Sequence, residues 1–567
     1  MLNYNLLTEY AINLDENDVL KDYPRPLFKR DSYLNLNGIW QYEINNTGEM
    51  VKDFTKDILV PFPIESVLSK VNYVLQKDDY LFYKKDFIVP KDFIKDITFI
   101  NFLAVDQVCD VYLNGIYLGS HENGYLPFSF DISDIIKEGK NTLILRVIDS
   151  IDLNYPTGKQ TYKRKGMWYT PVSGIWQSVF IESVNKNYIK SIKLTPNIDK
   201  KCLNIKIDTT APSYKVKILE NNKIIYQSTK EEKDIDVYLK NMHLWSPEEP
   251  FLYDIEFETS GDKVTSYFAM RKFSLGKNYF HLNNKPYFLN GLLDQGYYSD
   301  GIYTPASYNA YKDDILKMKE LGFNTLRKHI KIESPMFYYY CDKLGMIVMQ
   351  DFVNIGKYSF FKDTLLPTIG FKKNLYTTTN KTQQNNFIKY AKETLDYLYN
   401  VPSLAYYTIF NEGWGQFKSD TLYDIVKSID STRIIDTTSG WFYGKKSDVV
   451  SMHIYFRKIK IKKQNRPIII SEFGGYSYKI LEHSFNNEKT YGYKKFSDKE
   501  KFTQAFINLY EKEIIPTNIA GCIYTQLSDV EDETNGILTY DRKICKLNKK
   551  DIYPIMEKLC RKERKNG

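Results

Sequence analysis

The sequence contains no uncharged apolar run approaching the roughly 18 residues that a membrane-spanning helix needs. Its opening stretch, MLNYNLLTEYAINLDENDVL, lacks a basic start followed by an apolar segment, because Glu9, Asp15, Glu16 and Asp18 interrupt it. No secretory leader is read there, and a soluble cytoplasmic protein with no membrane contact is expected. Cysteine is scarce. Cys109, Cys202, Cys341, Cys522, Cys545 and Cys560 lie far apart, with no CxxC and no histidine at metal spacing. That pattern excludes a disulfide framework and suits free thiols in a reducing compartment. A strong charge of one sign is also missing: 78 basic against 70 acidic residues give +8, spread along the chain. The dense basic block KLCRKERKNG reads as the solvated end of a last helix, so no nucleic-acid partner is expected.

What is present suits a large globular protein. A hydrophobic content of 43% and a charged content of 26% are ordinary, and 567 residues exceed what a single core organises. Tyrosine (48) and phenylalanine (33) are abundant, but so are lysine, asparagine and isoleucine, so the aromatic count carries no functional inference.

Residues 30 to 184 read as all-β. ITFINFLAV, CDVYLNGIYLGSH, GKNTLILRVID and GIWQSVFIESV are short alternating runs, and Asn114-Gly115 between two of them is the signal for a two-residue hairpin. No long helical period interrupts them, which predicts a sandwich of two antiparallel sheets. Residues 185 to 275 supply six or seven further short strands, near the count of an immunoglobulin-like sandwich. Trp40, Trp168, Trp176 and Trp245 fall in these two modules and are expected in their cores.

Beyond residue 276 apolar runs alternate with amphipathic stretches such as YKDDILKMKELG, whose glycine marks the helix stop. Eight strand candidates follow, at residues 286–294, 323–330, 346–352, 404–412, 433–441, 449–455, 467–473 and 521–529. Eight strand-then-helix units over about 290 residues match a (β/α)8 barrel. The fold class expected is therefore a jelly-roll β-sandwich (1–184), an immunoglobulin-like β-sandwich (185–275) and a C-terminal (β/α)8 TIM barrel (276–567).

In such a barrel chemistry gathers at the C-terminal strand ends, since strand bodies fill the interior. The eight tips carry Asp294, Arg327 with His329, Asp351, Asn411 with Glu412, Trp441, His453 with Tyr455, Glu472, and Gln526 with Asp529. Asp351 and Asp529 read equally well as loop caps, and His453 alone would pass for a packed core histidine. Glu412 and Glu472 each end a strongly apolar run and are followed by glycine within two residues. Three strand units separate them, so they can face each other across the barrel mouth. Paired carboxylates across a cleft are what glycoside hydrolysis requires, one protonated and the other ionised. Arg327 and the Tyr455 hydroxyl would hold Glu472 ionised, while Trp414 beside Glu412 would keep it drier.

The segments LNGIWQYE, VYLNGIYLGSHENGYLPFSFDIS, SGIWQSVFIE, LWSPEEPFLYDI, LGFNTLRKHIKIE, FNEGW, SEFGG and SDVEDETNGILTYDR resemble, in order and spacing, glycoside hydrolase family 2. That group contains β-galactosidases, β-glucuronidases and β-mannosidases. The resemblance covers nearly the whole chain. It implies that Glu412 is the acid/base and Glu472 the nucleophile of a retaining exo-β-glycosidase. It further implies that Asn411 binds the sugar 2-hydroxyl, that Arg327 and Tyr455 orient Glu472, and that Asp294, His329, Trp441, His453 and Gln526 bind substrate. A β-galactoside is the favoured glycone; a β-glucuronidase, a β-mannosidase or a non-catalytic carbohydrate-binding relative are the alternatives. The implied partner is a carbohydrate, and a homo-oligomer is left open.

Three departures qualify the resemblance. Tyr524-Thr525-Gln526 stands where well-known members place a tryptophan, so the pocket floor should differ. The Asn-x-Lys pair with which β-glucuronidases hold the sugar carboxylate is not evident after Asp529. No acidic-x-His pair follows strand three as in magnesium-dependent β-galactosidases, so neither a metal nor another cofactor is expected. The insert FVNIGKYSFFKDTLLPTIGFKKNLYTTTNKTQQ after strand three carries no readable chemistry and is expected to shape the entrance.

Overall fold

A computed structural model describes residues 6–369, 371, 377–455 and 457–565. The first module is the expected two-sheet sandwich. A six-stranded sheet, containing Gly38–Asn45, Tyr80–Val89 and Gly139–Ile148, faces a four-stranded sheet containing Ile97–Phe102 and Val179–Val184. Alternation along these strands sends Trp40, Leu81, Tyr83, Val111, Leu143 and Leu145 inward to one core. The hairpin between Val108–Leu113 and Ile116–Glu122 turns at Asn114 (φ 51°) and Gly115 (φ 82°), the two positive angles its sequence predicts.

The second module is also built of two sheets. Ile189–Asn197, Cys202–Thr209 and Asp234–Tyr238 form one; Tyr214–Glu220, Lys223–Lys230, Tyr253–Glu258 and Lys263–Phe268 form the other. Asp234–Tyr238 escaped the sequence reading because its charged alternation leaves only Val237 buried. A separate apolar cluster, with Leu203, Val216, Ile255 and Phe257, fills the space between the sheets.

All eight barrel strand candidates form strands: β1 (Leu289–Asp294), β2 (Thr325–Lys328), β3 (Ile347–Asp351), β4 (Leu404–Asn411), β5 (Ile434–Ser439), β6 (Val450–Ile454), β7 (Ile468–Gly474) and β8 (Gly521–Thr525). They pair in parallel in the order β5-β4-β3-β2-β1-β8-β7-β6. The remaining seam, between β5 and β6, is bridged by side chains, including Ser451 Oγ donating to the Thr438 carbonyl at 3.3 Å. Burial on both faces explains why strands such as β4 and β7 read as largely apolar runs. Interior residues such as Leu289, Ile347, Ala405 and Ile469 pack with Trp245 and Phe273 from the end of the second module. The helix Asn309–Glu320 stops just before Gly322, as its sequence predicts.

Two details bear on the site. The chain from Thr157 to Trp176 leaves the first sandwich and packs on the barrel: Tyr125, Tyr169 and Trp176 share one apolar cluster with Tyr297, Tyr303 and Phe352. The insert after β3 contributes a short helical turn at Phe360–Leu365, although residues 370 and 372–376 lie outside the described residues. The last helix, Lys549–Lys565, carries the basic block, whose side chains from Cys560 onward also lie outside them. Among the described residues no helix is long and apolar enough to cross a membrane.

Candidate active site

Strand β4 is buried from end to end and delivers Asn411 and Glu412 to the barrel mouth. Glu412 sits at φ 54°, in the left-handed region that costs a side-chain-bearing residue roughly 1–3 kcal/mol. Its N–H donates to the Ser439 carbonyl at 2.9 Å, which ties the strained residue to the end of β5. The next residue must be glycine, because φ is 75° and a Cβ there would lie 2.2 Å from the Phe442 ring. The turn thus aims Glu412 inward. Trp414 follows and fixes the turn by donating its indole N–H to the Gly356 carbonyl at 2.8 Å.

Glu472 projects from β7 on the same side. One oxygen each of Glu412 and Glu472, with a His453 ring nitrogen, all lie within 4.8 Å of one another. The two carboxylates that the sequence placed on facing tips therefore meet. Arg327, fully buried on β2, donates Nη1 to Glu472 Oε1 at 3.0 Å, Nε to Asp351 Oδ1 at 2.9 Å and Nη2 to Asn411 Oδ1 at 2.9 Å. The Tyr455 hydroxyl donates to the other oxygen of Glu472 at 2.5 Å. Burial works against ionisation of Glu472, but His453 and then the Arg327 guanidinium outweigh it and hold its carboxyl down at about 2. Arg327 and Tyr455 stand against this group where the sequence reading put them, and His453, which that reading set against the sugar, contributes more than Arg327.

His453 bridges the pair. Its Nδ1 lies 2.7 Å from Glu412 Oε1, and its Nε2 lies 3.4 Å from Glu472 Oε1 and 3.0 Å from Ser439 Oγ. Its side chain has no exposed surface, so it sits beneath the cavity as a link between the carboxylates, where the sequence reading had it contact the sugar. The trio has the donors of a divalent-cation site. A cation there would stand beside the Arg327 guanidinium, already 3.0 Å from Glu472, and the repulsion favours the hydrogen-bonded arrangement.

The cavity over the pair is lined by Asn411, Glu412, Glu472, His329, Tyr455 and Trp414, with Lys159, Trp168, Tyr358, Tyr493, Thr525 and Glu533 completing the wall. Asn411 spends its carbonyl oxygen on Arg327, which leaves the amide NH2 for a cavity occupant. His329 contacts Asp351 Oδ2 through Nδ1 at 2.7 Å, and burial holds its pKa at about 4, so the ring is neutral at pH 7.

Other expectations need correction. Asp294 faces away from the cavity into a buried ion cluster, accepting from Lys328 at 2.5 Å while Lys328 also meets Glu333 at 3.0 Å. Gln526 is fully buried and donates to Asn535 Oδ1 at 2.8 Å, so it is not part of the wall; its neighbour Thr525 takes that place. Trp441 donates its indole N–H to the Glu412 carbonyl at 2.9 Å and sets its ring edge-on to His453, supporting the acid from behind. Trp168, expected in a core, stands in the cavity wall, edge-on to Trp414 and Tyr358. Trp40, Trp176 and Trp245 are core residues as expected.

Sequence reasoning undervalued Asp351. It sits at the tip of β3, where a ligand of both Arg327 and His329 could have been anticipated from position alone. It missed Lys159, which no periodic pattern marks, and Tyr493, whose ring stacks on Tyr455 at 3.7 Å.

Two β-sandwiches leading into a parallel barrel, with a pair of carboxylates converging at the C-terminal strand ends, define a class of barrel-borne carbohydrate-processing scaffold. Three family models match in succession: the sugar binding domain of glycosyl hydrolases family 2 over residues 51–184, the central family 2 domain over 178–271 and the family 2 TIM barrel domain over 273–544. The chain belongs to glycosyl hydrolases family 2. It is 25% identical over 420 residues to a β-galactosidase of Lactococcus lactis subsp. lactis, covering 71% of this chain and 39% of that protein. It is 27% identical over 349 residues to a β-galactosidase of Thermoanaerobacterium thermosulfurigenes, covering 56% and 48% respectively. The chain thus spans less than half the length of these curated relatives. A solved β-glucuronidase from an uncultured Clostridium species superposes with a TM-score of 0.75 at 20% identity, covering 94% of this chain and 98% of that one, which shows a shared fold.

Proposed function

We propose that this protein is a retaining exo-β-glycosidase in which Glu412 is the acid/base and Glu472 the nucleophile. The observation that carries this reading is the approach of one oxygen of each carboxylate to within 4.8 Å, in keeping with the roughly 5–5.5 Å separation of retaining pairs and short of the roughly 6.5–9.5 Å of inverting ones.

In the first step Glu472, ionised and gripped by Arg327 and Tyr455, attacks the anomeric carbon while Glu412 passes its proton to the departing glycosidic oxygen. In the second, Glu412 takes a proton from water, which attacks the same carbon and frees Glu472. Asn411 offers its NH2 to the sugar 2-hydroxyl, a bond that tightens as the oxocarbenium-like charge develops. His453 and Trp441 hold Glu412 in the one orientation its strained backbone permits. The walls from the sandwich loop and from the β3 insert enclose the glycone and support an exo mode of attack.

A non-catalytic sugar binder would have no use for a nucleophile held ionised at this distance from an acid. Release of nitrophenol from a panel of β-linked nitrophenyl sugars tests the reading, with Glu472→Gln expected to abolish turnover while leaving the fold intact by circular dichroism. No turnover by a folded wild type on any sugar would favour the binder. Proton NMR of early product showing the α anomer from a β substrate would reject retention. The galactoside favoured by the sequence rested on the missing Asn-x-Lys pair near β8. The cavity supplies a cation from elsewhere, which reopens the glycone's charge.

A further inference from the structure

The loop that leaves the first sandwich places Lys159 in the wall of the catalytic cavity. Its backbone is locked on both sides. Thr157 accepts from the Tyr125 hydroxyl at 3.0 Å, the Lys159 carbonyl accepts from the Tyr169 N–H at 3.0 Å, and the buried Gln160 donates to Asp106 at 2.7 Å. Gly158, at φ 60°, lets the loop press against the barrel, since a Cβ there would lie 2.7 Å from the Tyr125 hydroxyl and 3.2 Å from the Ile330 carbonyl. A half-buried lysine is thus presented to the cavity by a rigid turn.

The Lys159 ammonium has no hydrogen bond or ion pair among the described residues. It acts electrostatically on Glu472, His329 and Glu533, three groups from three barrel segments, so it stands over the space between them. Each acidic neighbour already has its own partners. Glu472 is paired with Arg327 and Tyr455, Glu412 with His453, and Glu533 accepts from the Tyr169 hydroxyl and from Asn535 at 3.0 Å. Burial also pushes the Glu533 carboxyl upward, toward its neutral form. One positive charge in the cavity is left for the occupant to match. A single ammonium among carboxylates suits one negative charge, as a carboxylate carries, better than the double charge of a phosphate.

We propose that Lys159 anchors the carboxylate of the sugar, so that the substrate class is a β-linked hexuronide. The assignment rests on the glycosidase reading above. It replaces the neutral galactoside as the expected glycone and locates the anion contact on the sandwich loop, away from the segment after β8.

Nitrophenyl β-glucuronide and β-galacturonide are compared with the β-galactoside, β-glucoside and β-mannoside, using the full chain, Lys159→Met and Lys159→Arg. The wild type is expected to prefer a uronide, and the two uronides tell which C4 configuration fits. Lys159→Met is expected to lower the uronide-to-hexoside ratio of kcat/KM by roughly 10- to 100-fold, mainly through KM, with Lys159→Arg recovering part of it. Calorimetry of the wild type with free glucuronate, galacturonate and galactose reads the same preference without turnover. Equal losses on both sugar classes in Lys159→Met would reduce the lysine to a countercharge for Glu472 and overturn the proposal. A wild type that turns over neutral hexosides but no uronide overturns it too, and leaves the hydrolase reading standing. A folded chain inactive on every sugar removes both, unless calorimetry shows uronate binding, in which case only hydrolysis is lost.

Discussion

Replacing Arg327 by methionine keeps an unbranched apolar stem and removes the guanidinium that Glu472, Asp351, Asn411 and the Ser471 carbonyl share. Asp351 is then buried without its main countercharge and Glu472 without the second of its two, a change worth about 3–5 kcal/mol when one partner of a buried pair is lost. With a urea m-value of about 3 kcal/mol/M, the midpoint is expected to fall by roughly 1 to 1.5 M at pH 7. The sign of the pH dependence gives a sharper test. In the wild type burial would raise both carboxyls, but their cations hold each at about 2, so their contribution is complete above their ordinary values and is lost only as pH falls toward 2. In the variant Asp351 keeps His329, neutral at pH 7, as its neighbour, so burial wins there and the folded state binds a proton at a pH where the unfolded chain does not. Its stability therefore increases on acidification from pH 7 to 5, while that of the wild type stays flat with respect to these groups. The gap is expected to narrow by up to about 1.4 kcal/mol per pH unit for each proton taken up. A gap that stays constant or widens over that window would refute the assignment of Arg327 as the countercharge.

Other perturbations address single parts of the site. Glu412→Ala is expected to slow substrates with poor leaving groups far more than activated nitrophenyl ones, because only the former need a proton; equal losses would reject its role as the acid. Gly413→Ala is expected to cost about 1–3 kcal/mol in urea unfolding, since the added methyl meets Phe442 at a positive φ, and an unchanged midpoint would contradict that turn. Trp168→Ala opens the cavity wall and is expected to raise KM several-fold with little change in melting temperature; a large loss of stability would return it to the core role its sequence context suggested.

The barrel was legible because its strands are buried on both faces, so LAYYTIFNE or RPIIISEF announces itself as an apolar run with a polar tip. The same rule found Glu412, Glu472, Arg327 and Tyr455. It overreached at Asp294 and Gln526, since a strand tip fixes where a side chain starts and not where it turns: Lys328 draws one away, and Asn535 the other. Trp168 was misjudged because an aromatic residue in a β module is ordinarily core, and only the packing of the loop on the barrel brings it to the wall. Asp234–Tyr238 has too little apolar content to register as a strand. Lys159 offers no pattern at all. Its position depends on Gly158 and on contacts with Tyr125 and Ile330, which lie far off in the chain and are invisible to local reading.

The loop from Thr157 to Trp168 belongs to the sandwich by connectivity and to the reaction chamber by position. On the proposed assignments the division of labour is unequal: bond cleavage is entrusted to the barrel, while the choice of sugar is lodged partly in a neighbouring module. Exchanging that short loop between relatives would retarget the protein while its cleaving machinery stayed the same.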